Sequence, residues 1–105
     1  MEITVTGRHL EITDPIREYA TAKLGKLPKF YNRVQTIELV ADMAEHRRYD
    51  VEAKVTADRT EPFVSKVHGG DLYACIDECY SKLERQLTDH KEKVRHRKGK
   101  TPMAG

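Results

Sequence analysis

No stretch of this 105-residue chain approaches the roughly 18 consecutive apolar residues that a membrane-spanning helix needs, so the sequence predicts no contact with a membrane. The opening residues, MEITVTGRHLEI, lack the basic segment and long apolar run of a secretory signal, and the expectation is a cytoplasmic protein. Cysteine is scarce: Cys75 and Cys79 stand four apart in a helical pattern, one turn from each other on one face. A structural metal site wants four ligands, commonly as two close pairs, and no second pair exists. The two thiols therefore read as small buried apolar residues, with no metal and no cofactor. Gly69 and Gly70 lack the following Lys-Ser/Thr of a P-loop and the three-glycine spacing of a dinucleotide site, so no small-molecule substrate is expected. With two Phe and five Tyr there are few rings to spare for stacking on bases, and Phe30 is expected in the core.

Charge is abundant, and unevenly placed. Residues 81–100, SKLERQLTDHKEKVRHRKGK, hold eight Lys or Arg against Glu84, Asp89 and Glu92, while residues 1–80 hold eleven against fourteen acids. The whole chain carries only +2, so the asymmetry between its parts indicates a directed surface better than the total does. A partner for such a surface would be a polyanion.

The hydrophobic patterning predicts six elements. EITVTG alternates Ile3 and Val5 with polar neighbours, as a half-buried strand does, and Gly7 suggests a turn or bulge after it. EITDPIREYATAKLGKL begins as a helix should, with Thr13 or Asp14 as cap, Pro15 in the first turn and Glu18 near the positive end of the dipole. Ile16, Tyr19, Ala20, Leu24 and Leu27 form its apolar stripe, and Pro28 is expected to end it. Three strands follow, carrying Ile37, Leu39 and Ala41, then Tyr49, Val51, Ala53 and Val55, then Phe63 and Val67 on one side each. Their short connections favour consecutive antiparallel hairpins. Asp71 is placed to cap a second, long helix whose stripe is Leu72, Ile76, Cys79, Leu83, Leu87 and Val94. From Arg95 the apolar period stops, and the end of the chain reads as a disordered basic tail. The expected fold is therefore α+β, in the order β-α-β-β-β-α. Its four-stranded, mainly antiparallel sheet is covered by two helices on one face and open to solvent on the other.

On the long helix Lys82, Arg85, Gln86, Lys93, His96 and Lys100 fall beside the apolar stripe, a basic ridge of the kind that follows a phosphate backbone. Glu78 and Asp89 interrupt it, as they would on an ordinary solvated helix. Lys23, Lys26, Lys29 and Arg33 make a second basic cluster. Two alternatives stand beside this: a general double-stranded RNA-binding or RNA-chaperone domain using the same cations, and a small ribonuclease working through His46 and Glu45. The five histidines are otherwise scattered, and no enzymatic constellation is evident.

ITVTGRHLEITDPIREYATAKLGKL, then FYNRV, then GGDLYACIDECYSKLERQLTDHKEK together resemble the ribosome hibernation promoting factor family, also known as ribosome-associated translation inhibitors and once labelled sigma-54 modulation proteins. The resemblance spans about residues 1–95, with Ile16 in a usual Leu position and Cys75 in a usual Ala position. It implies a fold similar to double-stranded RNA-binding domains and a binder, not an enzyme. It implies attachment to the small ribosomal subunit at the decoding region, which silences translation during stress or stationary phase by blocking messenger and transfer RNA. The implied ribosomal-RNA contacts fall on Lys23 and Lys26 of the first helix and on Lys82, Arg85, Gln86, Lys91 and Lys93 of the second. The resemblance further implies a ribosome-binding domain over residues 1–95 followed by the basic tail, 96–105. Asp89 stands where members commonly have Lys, leaving a repulsive charge in the ridge for which Arg95, Arg97, Lys98 and Lys100 are placed to compensate. The length matches a short form; short forms are associated with ribosome dimers in some bacteria, sometimes with a second hibernation protein, whereas a tailed variant prevents them.

Overall fold

A computed structural model of the chain describes residues 1–45 and 47–99, with side chains through Val94. Strand β1 (Glu2–Arg8) is joined by helix α1 (Asp14–Leu24) and a 3-10 turn at Leu27–Lys29 to β2 (Val34–Met43); β3 (Tyr49–Ala57), β4 (Phe63–Gly69) and helix α2 (Leu72–Gly99) follow. The sheet order is β1-β2-β3-β4. β1 runs parallel to β2, as a helical crossover requires, and the two hairpins make β2–β3 and β3–β4 antiparallel. Both helices lie on one face, which is the expected α+β arrangement.

Alternation along each strand decides which face is buried. Ile37, Leu39 and Ala41 of β2 and Val51, Ala53 and Val55 of β3 point to the helices and are essentially inaccessible. Glu38 and Asp42 of β2, and Asp50, Glu52 and Lys54 of β3, point to the open face. From the helices come Ala20 and Leu24 of α1 and Ile76, Cys79, Leu83 and Leu87 of α2, all at 0% exposure, so the sheet and the α2 stripe form one continuous core. Phe30 is half-buried against that core.

Local chemistry places the helix ends. The Thr13 hydroxyl accepts from the Ile16 N–H at 3.4 Å, with Pro15 in the first turn. The Asp71 carboxylate accepts from the N–H groups of Tyr73 and Ala74 at 3.0 and 3.4 Å, capping α2. α1 stops earlier than Pro28 led us to expect: Gly25, a weak helix former, follows Leu24 as the C-cap. Pro28 instead sits in the 3-10 turn, which points Leu27 into the core at 0% exposure. Gly7 likewise corrects an expectation. It lies inside β1 opposite Ala41, and a Cβ there would collide with the Leu10 carbonyl oxygen as the chain doubles back. The turn itself falls at His9, which takes the left-handed conformation at φ 58°.

α2 is longer than the sheet beneath it. Its 28 residues extend about 42 Å at about 1.5 Å per residue, against roughly 24 Å for the seven residues of β4. The stripe is fully buried through Leu87, but Val94 is only half-buried. The helical backbone continues through residues 96–99, which had read as tail, because extending a formed helix with Lys and Arg needs no new nucleus. Residues 100–105 lie outside the described residues, as does His46.

Leu83→Ala at the centre of this stripe is expected to lower unfolding free energy by about 2–5 kcal/mol in urea titration, from lost transfer energy and a cavity. The same change at Val94 should cost far less. Burial pushes the Cys79 thiol from its ordinary value up to about 11. The folded protein holds this proton more tightly than the unfolded chain, so the associated stability is complete below pH 9 and fades as pH rises toward 11, by on the order of 2–3 kcal/mol. Cys79→Ala should flatten that part of the alkaline stability profile.

Candidate nucleic-acid interface

The side of the molecule covered by the helices carries the candidate residues, and the packing divides them into two groups. Tyr73, Asp77 and Tyr80 lie on the flank of α2 that faces α1. The Tyr19 hydroxyl of α1 donates to the Asp77 carboxylate at 2.5 Å, and the Tyr19 and Tyr73 rings meet edge to face at 5.0 Å. Lys23 reaches the same carboxylate at 3.5 Å and stands 5.2 Å above the Tyr80 ring. This candidate contact is thus held in place by an acid below it and an aromatic face beside it. Lys26 is exposed beyond the end of α1. Lys91 shares the flank of Tyr73 and Tyr80, about 180° around the axis from Lys82 at about 100° per residue.

The second group occupies the opposite flank of α2. Lys82, Arg85 and Lys93 are exposed there. Lys82 lies 4.0 Å from Glu78 one turn back, an exposed pair of small energetic weight. Asp89 is exposed beside Arg85, sharing a shallow recess with Ser81, Glu84 and Thr88, so the interruption read in the sequence is present on the surface. Gln86 has a structural partner: its Nε2 donates to the Val64 carbonyl on the outer edge of β4 at 2.9 Å. Arg17 does the same at the other edge, donating to the Val5 carbonyl of β1 at 3.1 Å. Each helix thus occupies one carbonyl on an edge strand of the sheet.

Two features escaped sequence reasoning. The Tyr19–Asp77–Lys23–Tyr80 network was not anticipated, although Tyr73, Asp77 and Tyr80 at i, i+4 and i+7 mark a second helix flank. The edge-strand contacts of Arg17 and Gln86 have no sequence signal, because each depends on which strand ends up outermost. The paired His46–Glu45 reading falls on a residue outside those described, with Glu45 exposed.

Charge separates the two sides of the sheet. The open face carries Glu2, Glu38, Asp42, Asp50 and Glu52 against Arg8, Lys54 and Lys66. From Asp14 to Arg33 and along α2 to Val94, the helical side has nine Lys or Arg against seven acids, one of which, Asp77, is matched to Lys23. On net charge, the first surface disfavours a polyanion and the second favours one.

A family model described as sigma 54 modulation protein / S30EA ribosomal protein matches residues 3–95. The ribosome hibernation promoting factor of Escherichia coli K12 is 36% identical over 95 residues, covering 90% of this chain and 98% of its own. That of Azotobacter vinelandii is 30% identical over 103 residues, covering 97% and 94%. Among solved structures, the Thermus thermophilus Protein Y N-terminal domain superposes with a TM-score of 0.76 at 30% identity, over 86% of this chain and 99% of that one. A ribosomal subunit interface protein from Coxiella burnetii has a TM-score of 0.79 at 24% identity, over 88% and 99%, which shows the shared fold.

The hydrogen bond to Asp77, followed by burial, raises the Tyr19 pKa, so the fold favours the neutral phenol. The resulting stabilisation is complete below the ordinary tyrosine pKa and is lost as pH rises through the raised one. In spectrophotometric titration, Asp77→Ala should bring one phenol back toward the ordinary value, and Tyr19→Phe should remove that same transition.

Proposed function

The chain belongs to the sigma 54 modulation protein / S30EA ribosomal protein family, and from that premise we propose that it binds the small ribosomal subunit at the decoding region and silences translation under stress or in stationary phase. It is a binder, not an enzyme. The observation that carries the reading is the two-sided charge: a sheet face on which carboxylates outnumber cations, and a helical side on which Lys and Arg outnumber acids. Lys23, Lys26, Lys82, Arg85, Gln86, Lys91 and Lys93 are the proposed contacts to ribosomal RNA. Gln86 contributes while holding the β4 edge, and Lys23 does so from its seat on Asp77 and Tyr80.

Recognition in this proposal is by shape and charge. A rigid helix pair offers cations at fixed separations to folded RNA, which needs no base code, and the bound domain excludes messenger and transfer RNA sterically. The protein works in the cytoplasm, among ribosomes, and no helix of the described residues is long and apolar enough to cross a membrane. Residues 1–95 are the proposed binding domain; the basic residues after it extend the same electrostatic attraction.

Co-sedimentation with purified small subunits, large subunits and free duplex RNA tests the proposal. Saturable binding to the small subunit, competed by initiator transfer RNA and messenger, is the expected result. Equal binding to all three would demote the protein to a general double-stranded RNA-binding domain. The triple charge reversal Lys82→Glu, Arg85→Glu, Lys93→Glu should weaken binding and lower the log-log salt slope by about 2–3, at about 0.7–0.9 per lost phosphate contact. Sedimentation of whole ribosomes in the same experiment reports whether the protein promotes or prevents their dimers, alone or with a second factor.

A further inference from the structure

We propose that the end of the sheet where the segment before β2, the β3–β4 hairpin and α2 converge is a second phosphate-binding site, which takes a phosphodiester of the RNA bound by the helices. This rests on the reading above, and extends the contact surface beyond both helices to Arg33 and to Arg59, the latter singled out by neither the sequence pattern nor the family resemblance. A groove of about 250 Å³ is lined there by Tyr31, Arg33, Asp58, Arg59, His90 and Lys93. Three cations from three separate parts of the chain meet around it, with one carboxylate among them.

The single acid does not neutralise the groove. Asp58 lies 3.5 Å from Arg33, but both side chains are about half exposed, at 48% and 53%, where an ion pair is worth little and yields to a phosphate. Asp58 has a second task, since its N–H donates to the Arg33 carbonyl at 3.0 Å and ties the hairpin to the segment before β2. Arg59 and Lys93 take part in no ion pair among the described residues, in contrast to Lys23 and Lys82. Arg59 holds the left-handed conformation at φ 60°, a backbone state unusual for a residue with a Cβ, at the tip of the hairpin.

The floor of the groove is fixed. His90 packs edge to face on Tyr31 at 5.0 Å and on Phe63 at 5.3 Å, joining α2 to both walls. Tyr31 is only 7% exposed, so its ring is committed to this packing and is closed to stacking with a base. The volume lies below the roughly 300–1,000 Å³ of small-molecule sites. Both facts favour a backbone phosphate with its sugar over a whole nucleotide. Lys93 belongs to the outer flank of α2 as well, which makes the groove continuous with Lys82 and Arg85, and one RNA strand can follow the series.

The test uses Arg33→Gln with Arg59→Gln, which remove charge from exposed positions outside the core, alongside Lys82→Gln with Arg85→Gln. Salt-dependent co-sedimentation with small subunits is the first readout, and urea unfolding confirms that each variant is folded. The groove variant is expected to lower the log-log slope by about 1.4–1.8, two contacts' worth, and to add to the helix variant in the combined protein. A groove variant indistinguishable from the parent, beside a weakened helix variant, would overturn the site while leaving the proposed function intact. Should the parent not bind small subunits at all, the proposed function fails. Titration of the labelled protein with a short RNA duplex, read at the His90 ring and the Arg59 amide, then decides the groove separately. Shifts there that vanish in the groove variant support the site, and their absence at saturating RNA overturns it. Equal shifts with inorganic phosphate alone at the same concentration would overturn the RNA assignment in favour of a free-anion site.

Discussion

The burial of one stripe of α2 against the sheet is the constraint on which the other features depend. Ile76, Cys79, Leu83 and Leu87 are at 0% exposure, so the helix has no freedom to rotate about its axis without exposing them. Every other direction on α2 follows. Tyr73, Asp77 and Tyr80 must face α1, Gln86 must reach the β4 edge, and Lys82, Arg85 and Lys93 must point into solvent on the outer flank. A site made of long, flexible cations is thereby given fixed origins, although the side chains themselves are free to adapt to an irregular phosphate surface. The extra length of α2 follows from the same division of labour: the helix is held against the rest of the fold through His90, and its last turns run on beyond.

The seam between the helices adds a second level of order. Asp77 is a carboxylate in a basic region, and on charge alone it should weaken attraction to a polyanion. Its position explains it. By accepting from Tyr19 and pairing with Lys23 it joins α1 to α2 through polar groups, beside the edge-to-face contact of Tyr19 with Tyr73. Asp77 partly offsets the field of Lys23, which gains a defined place beside the Tyr80 ring. For binding a rigid particle, a pre-placed cation loses less conformational entropy than a mobile one.

Much of this was legible in the sequence because period and chemistry agreed. The alternation in β2 and β3, the stripe of α2 and the Thr13 and Asp71 caps each depend on residues within a few positions of one another, and the structure has them as expected. What escaped depends on tertiary position. Pro28 is a strong helix stop, yet Gly25 ended α1 first, and the chain used Pro28 in a 3-10 turn to bury Leu27. Gly7 looked like a turn residue but is required by the approach of the Leu10 carbonyl, visible only once the chain has folded back. The candidate cations were identifiable by type, and helical phase already sets Lys91 apart from the ridge of Lys82, but which element borders each flank was not legible. Lys91 and Lys82 differ by nine residues, half a turn out of phase, and only the placement of α1 shows that they border different surfaces.

The partly occupied edges bear on how such a surface stays specific. An open four-stranded sheet has two rows of unpaired backbone groups, and an edge strand with an exposed residue such as Val64, at 39%, invites pairing with another chain. Here Arg17 occupies the Val5 carbonyl and Gln86 the Val64 carbonyl, each supplied by the helix nearest that edge. Polar side chains on the binding side therefore also discourage sheet extension, and the open face, with its surplus of carboxylates, repels both another copy's open face and nucleic acid. Under the proposed function, association falls to the helical side, where attraction to a polyanion would be electrostatic and would fall with salt. Asp89 belongs in that argument: a carboxylate within the ridge lowers attraction to any phosphate surface, and costs least where neighbouring cations are matched to a particular one.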